Sequence, residues 1–319
     1  MINISKDVIW IFSLENPMAL PSYIVSGILP ADYNKIQKII FLEHDNPKNL
    51  LIEKKPKVII VGKVFHSSVI ELIKEARKLN IKIISIFDDW HFDKQFKNNS
   101  IYNLEIAINS DRIIAKTKKA IDIIYEHTKI KGTIIPDCLR YKTLKTIGVF
   151  TNPYKLCWFG NYTNHPSLLK GINEISKPKN KIELKIITNQ LNDLKKSLIG
   201  IDQKLSLEFI EWTLLMHENI KKSEIIIIPL INDKKSLVKS SNRIIDSLNM
   251  GKFIIINDND QFSEFRDYCY FGNIKDGLEW VYNNKDLAIS MIKKGQKYVM
   301  ENFSLKTVGD KWKILIEKI

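Results

Sequence analysis

The run Lys239-Ser240-Ser241-Asn242-Arg243-Ile244-Ile245-Asp246, with Gly251 five residues on and the apolar stretch Lys252–Ile256 after it, is built to hold an anion. Ser240 or Ser241 can cap the start of a helix and Gly251 can end it. The amino end of such a helix presents free backbone N–H groups and the positive end of its dipole, which suits a diphosphate. Ser240, Ser241, Asn242 and Arg243 would then face the phosphates. Each charge-assisted bond from Arg243 is worth about 1.5–3 kcal/mol. Asp246 follows on the same helical face, one turn later, where its carboxylate can accept from two neighbouring hydroxyls of a ribose. The same spacing equally describes a capped surface helix with an internal Arg–Asp pair.

A second cluster reads Phe87-Asp88-Asp89-Trp90-His91-Phe92-Asp93 and follows an apolar run. Asp88, or else His91, can act as general base on a hydroxyl. Asp89, His91 and Asp93 could alternatively gather a divalent cation through oxygen and imidazole, or the acids could simply cap and salt-bridge a strand–helix turn. His66 closes the neighbouring run Gly62-Lys63-Val64-Phe65-His66 and would face the same place as Asp89.

Short β-branched runs alternating with longer amphipathic ones must position these groups. Strands are expected at Val8–Phe12, Lys38–Leu42, Lys57–Gly62, Ile81–Phe87, Arg112–Ala115 and Thr133–Ile135. Val69, Leu72, Ile73, Ala76 and Leu79 recur at steps of three and four, giving a helix with one buried face. The pattern restarts after Pro136, with strands at Leu156–Gly160, Ile182–Thr188, Ser206–Ile210, Glu224–Leu230 and Lys252–Ile256. Helices are expected at Asn164–Ile175, Leu191–Leu198, Leu214–Lys222, Ser240–Met250 and Phe262–Tyr268, and a helical tail from Asp276. Strand–helix–strand succession implies parallel pairing through right-handed crossovers. The expected fold is α/β, with two Rossmann-like domains facing across a cleft: 1–150, then 151–300, joined through a linker near Asp137–Tyr154. In such sheets ligands bind beyond the carboxyl ends of the strands.

The chain has 319 residues, enough for two cores, and 45% of them are hydrophobic. No stretch approaches the roughly 20 apolar residues of a membrane helix, and the first residues lack a cleavage pattern. The expected location is the cytoplasm, with any membrane contact peripheral, at the inner face. Cys138, Cys157 and Cys269 are scattered and form no C-x-x-C pair, so reduced core thiols are expected. The net charge of +13 favours anionic partners, whether nucleotide phosphates or anionic lipid head groups. The lysines are dispersed and no nucleic-acid motif accompanies them, so nucleic acid is not an expected partner.

Asp246-Ser247-Leu248-Asn249-Met250-Gly251-Lys252-Phe253-Ile254-Ile255 resembles the E-A-L-A-x-G-x-P-V-I pattern of GT-B glycosyltransferases of the large retaining family with an E-x7-E motif. The second acid of that motif, which holds the donor ribose, falls on Asp246. The first falls on Val238, a departure that touches both the retaining mechanism and the contact to the donor sugar. A variant with a basic residue three before the acid matches Arg243. Leu156-Cys157-Trp158-Phe159-Gly160-Asn161, then Lys170-Gly171, resembles the opening of that family's second domain; the resemblance puts Lys170 on the donor phosphates and Asn161 where arginine is common. Ser110–Thr117, Ile134-Ile135-Pro136-Asp137 and Glu301-Asn302-Phe303-Ser304 are similar to further family patterns, the last preceding a helix (301–319) that crosses back to the first domain. Asp88 falls where many relatives carry histidine, and Glu264 where they often carry a glutamate near the donor. The resemblance implies a glycosyltransferase moving a sugar from a nucleotide sugar, UDP- or GDP-linked, to a cell-surface glycan or lipid-linked acceptor in polysaccharide biosynthesis. It implies no metal and no cofactor beyond the donor. A nucleotide-sugar epimerase or an inactive nucleotide-binding module shares the same frame.

Overall fold

The computed structural model describes residues 2–63, 65–88, 97–144, 150–151, 153–175, 181–200, 205–231, 233 and 236–319. Its backbone forms two units. The first comprises residues 1–140, 237–240 and 302–319, and the second comprises 141–236 and 241–301.

The first unit is built on six parallel strands: β1 (Val8–Phe12), β2 (Gln37–Ile40), β3 (Val58–Gly62), β4 (Lys82–Phe87), β5 (Arg112–Ala115) and β6 (Gly132–Ile134), in the order β2-β1-β3-β4-β5-β6. Strands buried on both faces read as continuous apolar runs, and successive side chains serve opposite faces. Ile9, Ile11, Ile59, Val61 and Ile83 pack against Val69, Leu72, Ile73 and Ala76 of the helix Ser68–Lys78. Val8, Trp10, Val58, Ile60 and Ile84 face the other way, toward Val308, Trp312 and Ile316.

Those last three residues lie on the helix Leu305–Glu317, which belongs to the first unit. The Trp312 and Trp10 ring centroids are 4.8 Å apart. A Cβ on Gly309 would fall 2.2 Å from the Tyr33 ring, so only glycine lets this helix sit so close. Tyr33 then donates to Asp310 at 2.9 Å.

The second sheet holds β7 (Tyr154–Phe159), β8 (Ile182–Thr188), β9 (Leu205–Glu211), β10 (Ile225–Ile228), β11 (Phe253–Ile256) and β12 (Tyr270–Phe271), ordered β12-β11-β10-β7-β8-β9 and parallel throughout. Four isoleucines make up β10 and all are buried. In each sheet one pair of neighbours marks the point where strand order reverses: β1 and β3 in the first, β7 and β10 in the second. Crevices at such points are where open α/β sheets take ligands.

The sequence reading assigned no helix between β1 and β2. The chain there forms Pro21–Tyr23, one π turn Ile24–Ile28 and Leu29–Tyr33. Ile24, Val25 and Ile28 are all buried, so the segment lacks the polar face that reveals a helix by periodicity. The expected linker at Asp137–Tyr154 is not uniform. Asp137 is 2% exposed and belongs to the first unit, whose first segment runs to Arg140. No helix among the described residues is long and apolar enough to cross a membrane.

Candidate functional site

The second unit gathers polar groups where its strand order reverses. Beyond β7 come Gly160 and Asn161, whose side chain accepts from Thr163 N–H at 3.0 Å and caps the turn Tyr162–Asn164. The helix His165–Glu174 follows, with Pro166 in its first turn. A Cβ on Gly171 would lie 2.8 Å from the Pro229 ring, directly beyond β10. Glycine thus lets the helix close on that loop. The preceding residue, Lys170, reaches across and donates its ammonium to the Leu230 carbonyl at 3.1 Å. An ammonium has three donors, and Lys170 stays exposed.

Several neighbours escaped the sequence reading. Asn257, just past β11, accepts from Leu230 N–H at 2.9 Å and donates to the Gly272 carbonyl at 3.2 Å, locking the loops after β10 and β11 together. Glu174 accepts from Ile274 N–H at 2.7 Å. Asn189 accepts from Tyr162 N–H at 2.9 Å, and Thr188 lies 3.0 Å from the His165 ring nitrogen. Isolated Asn and Thr residues after strands carry no periodic signal, so nothing in the spacing singled them out.

The helix Asn242–Asn249 starts as expected after Ser240 and Ser241 and ends at Gly251, which takes φ +68°. Its start differs from expectation in one respect. Ser241 occupies the cap position with φ −80° and ψ 15°, outside the extended region a capping side chain uses, and makes no side-chain cap bond. The first-turn N–H groups therefore lack the capping oxygen that Ser240 or Ser241 was expected to supply. Arg243 stands on that first turn. Its Nη1 is enclosed with no hydrogen-bond partner, and among the described residues no carboxylate pairs with it. Desolvation alone lowers the guanidinium to about 10. The internal Arg–Asp pair that the spacing allowed does not form. Asp246 is buried, 6% exposed, on the same helix.

Glu264 lies on the separate turn Asp260–Phe265, exposed, and accepts from the Tyr298 hydroxyl at 2.9 Å. Burial and the adjoining Glu264 both raise the Tyr298 phenol above its usual range. Val238, where the E-x7-E pattern would need its first acid, is 3% exposed and sits in the apolar cluster of the first unit.

In the first unit Asp88 follows β4. It lies 3.4 Å from the ammonium of Lys63, which follows β3. His66 turns its Nε2 to the Phe41 carbonyl at 3.0 Å and stacks on the Phe41 ring, leaving Nδ1 buried and unbonded. Asp89 and His91 lie outside the described residues, as does Asp93. Among the described residues no three His, Cys, Asp or Glu side chains gather as metal ligands. Cys138, Cys157 and Cys269 are buried and in no disulfide, and burial pushes the Cys157 thiol up to about 12.

No protein-family model matches the chain, and no curated protein matches it in sequence. Solved structures do match in shape. Anabaena HepE in complex with UDP-glucose superposes with a TM-score of 0.71 at 8% identity, over 98% of this chain and 99% of that one. The lipopolysaccharide outer core galactosyltransferase WaaB gives 0.61 at 13% identity over the same shares. TarM gives 0.64 at 16% identity over 84% of this chain, which spans only 57% of TarM's length. UDP-GlcNAc 2-epimerase of Neisseria meningitidis, bound to UDP-GlcNAc, gives 0.55 at 10% identity over 97% of this chain and 98% of that one. Two parallel six-stranded sheets with their helices thus give the chain the two-domain α/β fold of the GT-B glycosyltransferases.

Proposed function

We propose that this chain is a glycosyltransferase that moves a sugar from a nucleotide sugar to a hydroxyl of a glycan or lipid-linked glycan. The observation that carries the reading is Arg243: a desolvated guanidinium with no counter-ion among the described residues, on the first turn of a helix whose N-cap residue makes no side-chain cap bond. A diphosphate supplies the missing charge and the missing acceptors together. Lys170, exposed and aimed across the end of β10, adds a second cation. Arg243, Lys170 and the helix dipole would stabilise the leaving diphosphate. Asn161, Ser240, Ser241 and Asn242 would line the phosphates and Asp246 would hold the ribose. The first unit would take the acceptor, with Asp88 as general base on its hydroxyl. UDP is the expected nucleotide, since HepE of the same fold binds UDP-glucose.

A cell-surface glycan acceptor is proposed by analogy with WaaB, whose name states a lipopolysaccharide core substrate. The net charge of +13 suits a cytoplasmic protein that meets an anionic membrane face only peripherally. One observation favours a second reading, a module that binds nucleotide without turnover: the buried Val238 in place of the first acid.

Titration calorimetry with UDP and GDP tests the binding claim. Arg243→Met and Lys170→Ala should each lose about 1.5–3 kcal/mol of affinity; undiminished affinity in both sinks it. Product analysis separates the rivals. Sugar joined to an acceptor supports transfer, an altered free sugar nucleotide without acceptor marks an epimerase, and binding with no product marks the inactive module.

A further inference from the structure

Lys63 takes φ +38°, a left-handed conformation that glycine or asparagine adopts far more readily than lysine. It stands just beyond β3, beside the strand-order reversal between β1 and β3. Two side chains hold its backbone there: Ser13, after β1, and Tyr23 each donate to the Lys63 carbonyl at 2.7 Å. Burial raises the Tyr23 phenol, so it stays a donor. Tyr23 directly precedes the π turn Ile24–Ile28, a departure from α geometry common at functional sites. Tyr23, Ser26, Gly27, Gly62, Lys63 and Asp88 line one small cavity of about 10 Å³, room for about one water. The side chain of Lys63 is 18% exposed and that of Asp88 is 7% exposed, at 3.4 Å from each other. Strained backbone persists where its surroundings over-determine it, and it gathers at functional sites. What the strained position achieves here is the placement of an ammonium against the carboxylate after β4.

We propose that Lys63 is a positioning residue: its ammonium holds the Asp88 carboxylate in place to take the proton of an acceptor hydroxyl. The inference rests on the transferase reading above. In the step it serves, the acceptor O–H proton passes to Asp88 and the acceptor oxygen bonds to the anomeric carbon. The bond from that carbon to the diphosphate oxygen breaks, and the diphosphate leaves with its electron pair. Serine, tyrosine and backbone strain set where Lys63 stands, and Lys63 sets where Asp88 points.

The test uses the full chain with UDP-glucose, UDP-galactose, UDP-GlcNAc and GDP-mannose, and with methyl glycosides or water as acceptor. Lys63→Gly relieves the backbone and so keeps the fold while removing the ammonium; Lys63→Arg keeps the charge. Asp88→Asn should lower kcat at least 100-fold, the usual scale for a lost base. Lys63→Gly should lower kcat about tenfold with the KM for donor and the affinity for UDP unchanged, and Lys63→Arg should restore most of the loss. Wild-type kcat in Lys63→Gly overturns the proposal, as does a loss that arginine leaves unrepaired. A wild-type chain that binds UDP but turns over none of the donors overturns the role of Asp88 and of Lys63, leaving the nucleotide site standing. Failure to bind UDP or GDP at all strikes the transferase reading itself and this inference with it.

Discussion

Two places in the molecule, one in each unit, answer a desolvated charge differently. In the first, Lys116 and Asp137 face each other at 2.9 Å with side chains 1% and 2% exposed, and Lys63 meets Asp88. Each charge carries its counter-ion within the fold. In the second, Arg243 is desolvated with no carboxylate among the described residues to answer it. Taking an ion out of water costs several kcal/mol, which a well-placed opposite charge offsets. Where the chain provides that opposite charge, the pair is complete without any ligand. Where it does not, the fold carries a cost that an incoming anion would offset. Uncompensated desolvation is therefore the better pointer to a ligand site than the mere presence of a cation.

Substitutions can break or sharpen this contrast. The largest effect belongs to the completed pair. Lys116→Met leaves Asp137 alone in the core and should destabilise the first unit by about 3–5 kcal/mol in urea unfolding. A loss below about 1 kcal/mol would show that the pair is not the closed unit described. Arg243→Met should do the reverse: nucleotide affinity falls by about 1.5–3 kcal/mol, roughly 10- to 150-fold, while urea unfolding shows no loss of stability. Gly171→Ala puts a methyl group against Pro229 and should cost about 1–3 kcal/mol of stability. It should weaken UDP binding as well, by shifting Lys170. The smallest effect is expected at Ser241→Ala. A serine that caps a helix is worth about 0.5–2 kcal/mol; Ser241 makes no such bond, so its removal should change stability by less than about 0.5 kcal/mol.

The fold was legible because isoleucine and valine runs leave parallel strands no other reading. β1, β5 and β8 occupy the residues expected, and the remaining expected strands shift by one or two residues at their ends. The short β12, two residues long, offers no period to read. In the second unit, the helix after Ser241 was legible because serines, charges and a closing glycine are local signals, whereas the Lys170-Gly171 pair stood out only through its resemblance to the GT-B pattern. What those residues do was not. The sequence shows serines before a helix, but only the backbone angles reveal that Ser241 leaves the N–H groups uncapped. Likewise, it shows Lys-Gly, but only the packing reveals that Gly171 admits Pro229. Lys63 was passed over because left-handed backbone at a lysine has no compositional mark, and Asn257 because its two loop partners, Leu230 and Gly272, are distant in sequence.

The most direct test of the account is a thermal melt of wild type and Arg243→Met, each with and without UDP and with uridine as the control lacking phosphate. UDP at 100 times its Kd should stabilise wild type by about 2.7 kcal/mol, a rise of about 5 °C in Tm, and uridine by much less. Arg243→Met should melt no lower than wild type without ligand and should lose most of the UDP shift. A variant that melts well below wild type when empty, or that keeps the full shift with UDP, would contradict the proposal that Arg243 awaits the phosphates as its counter-charge.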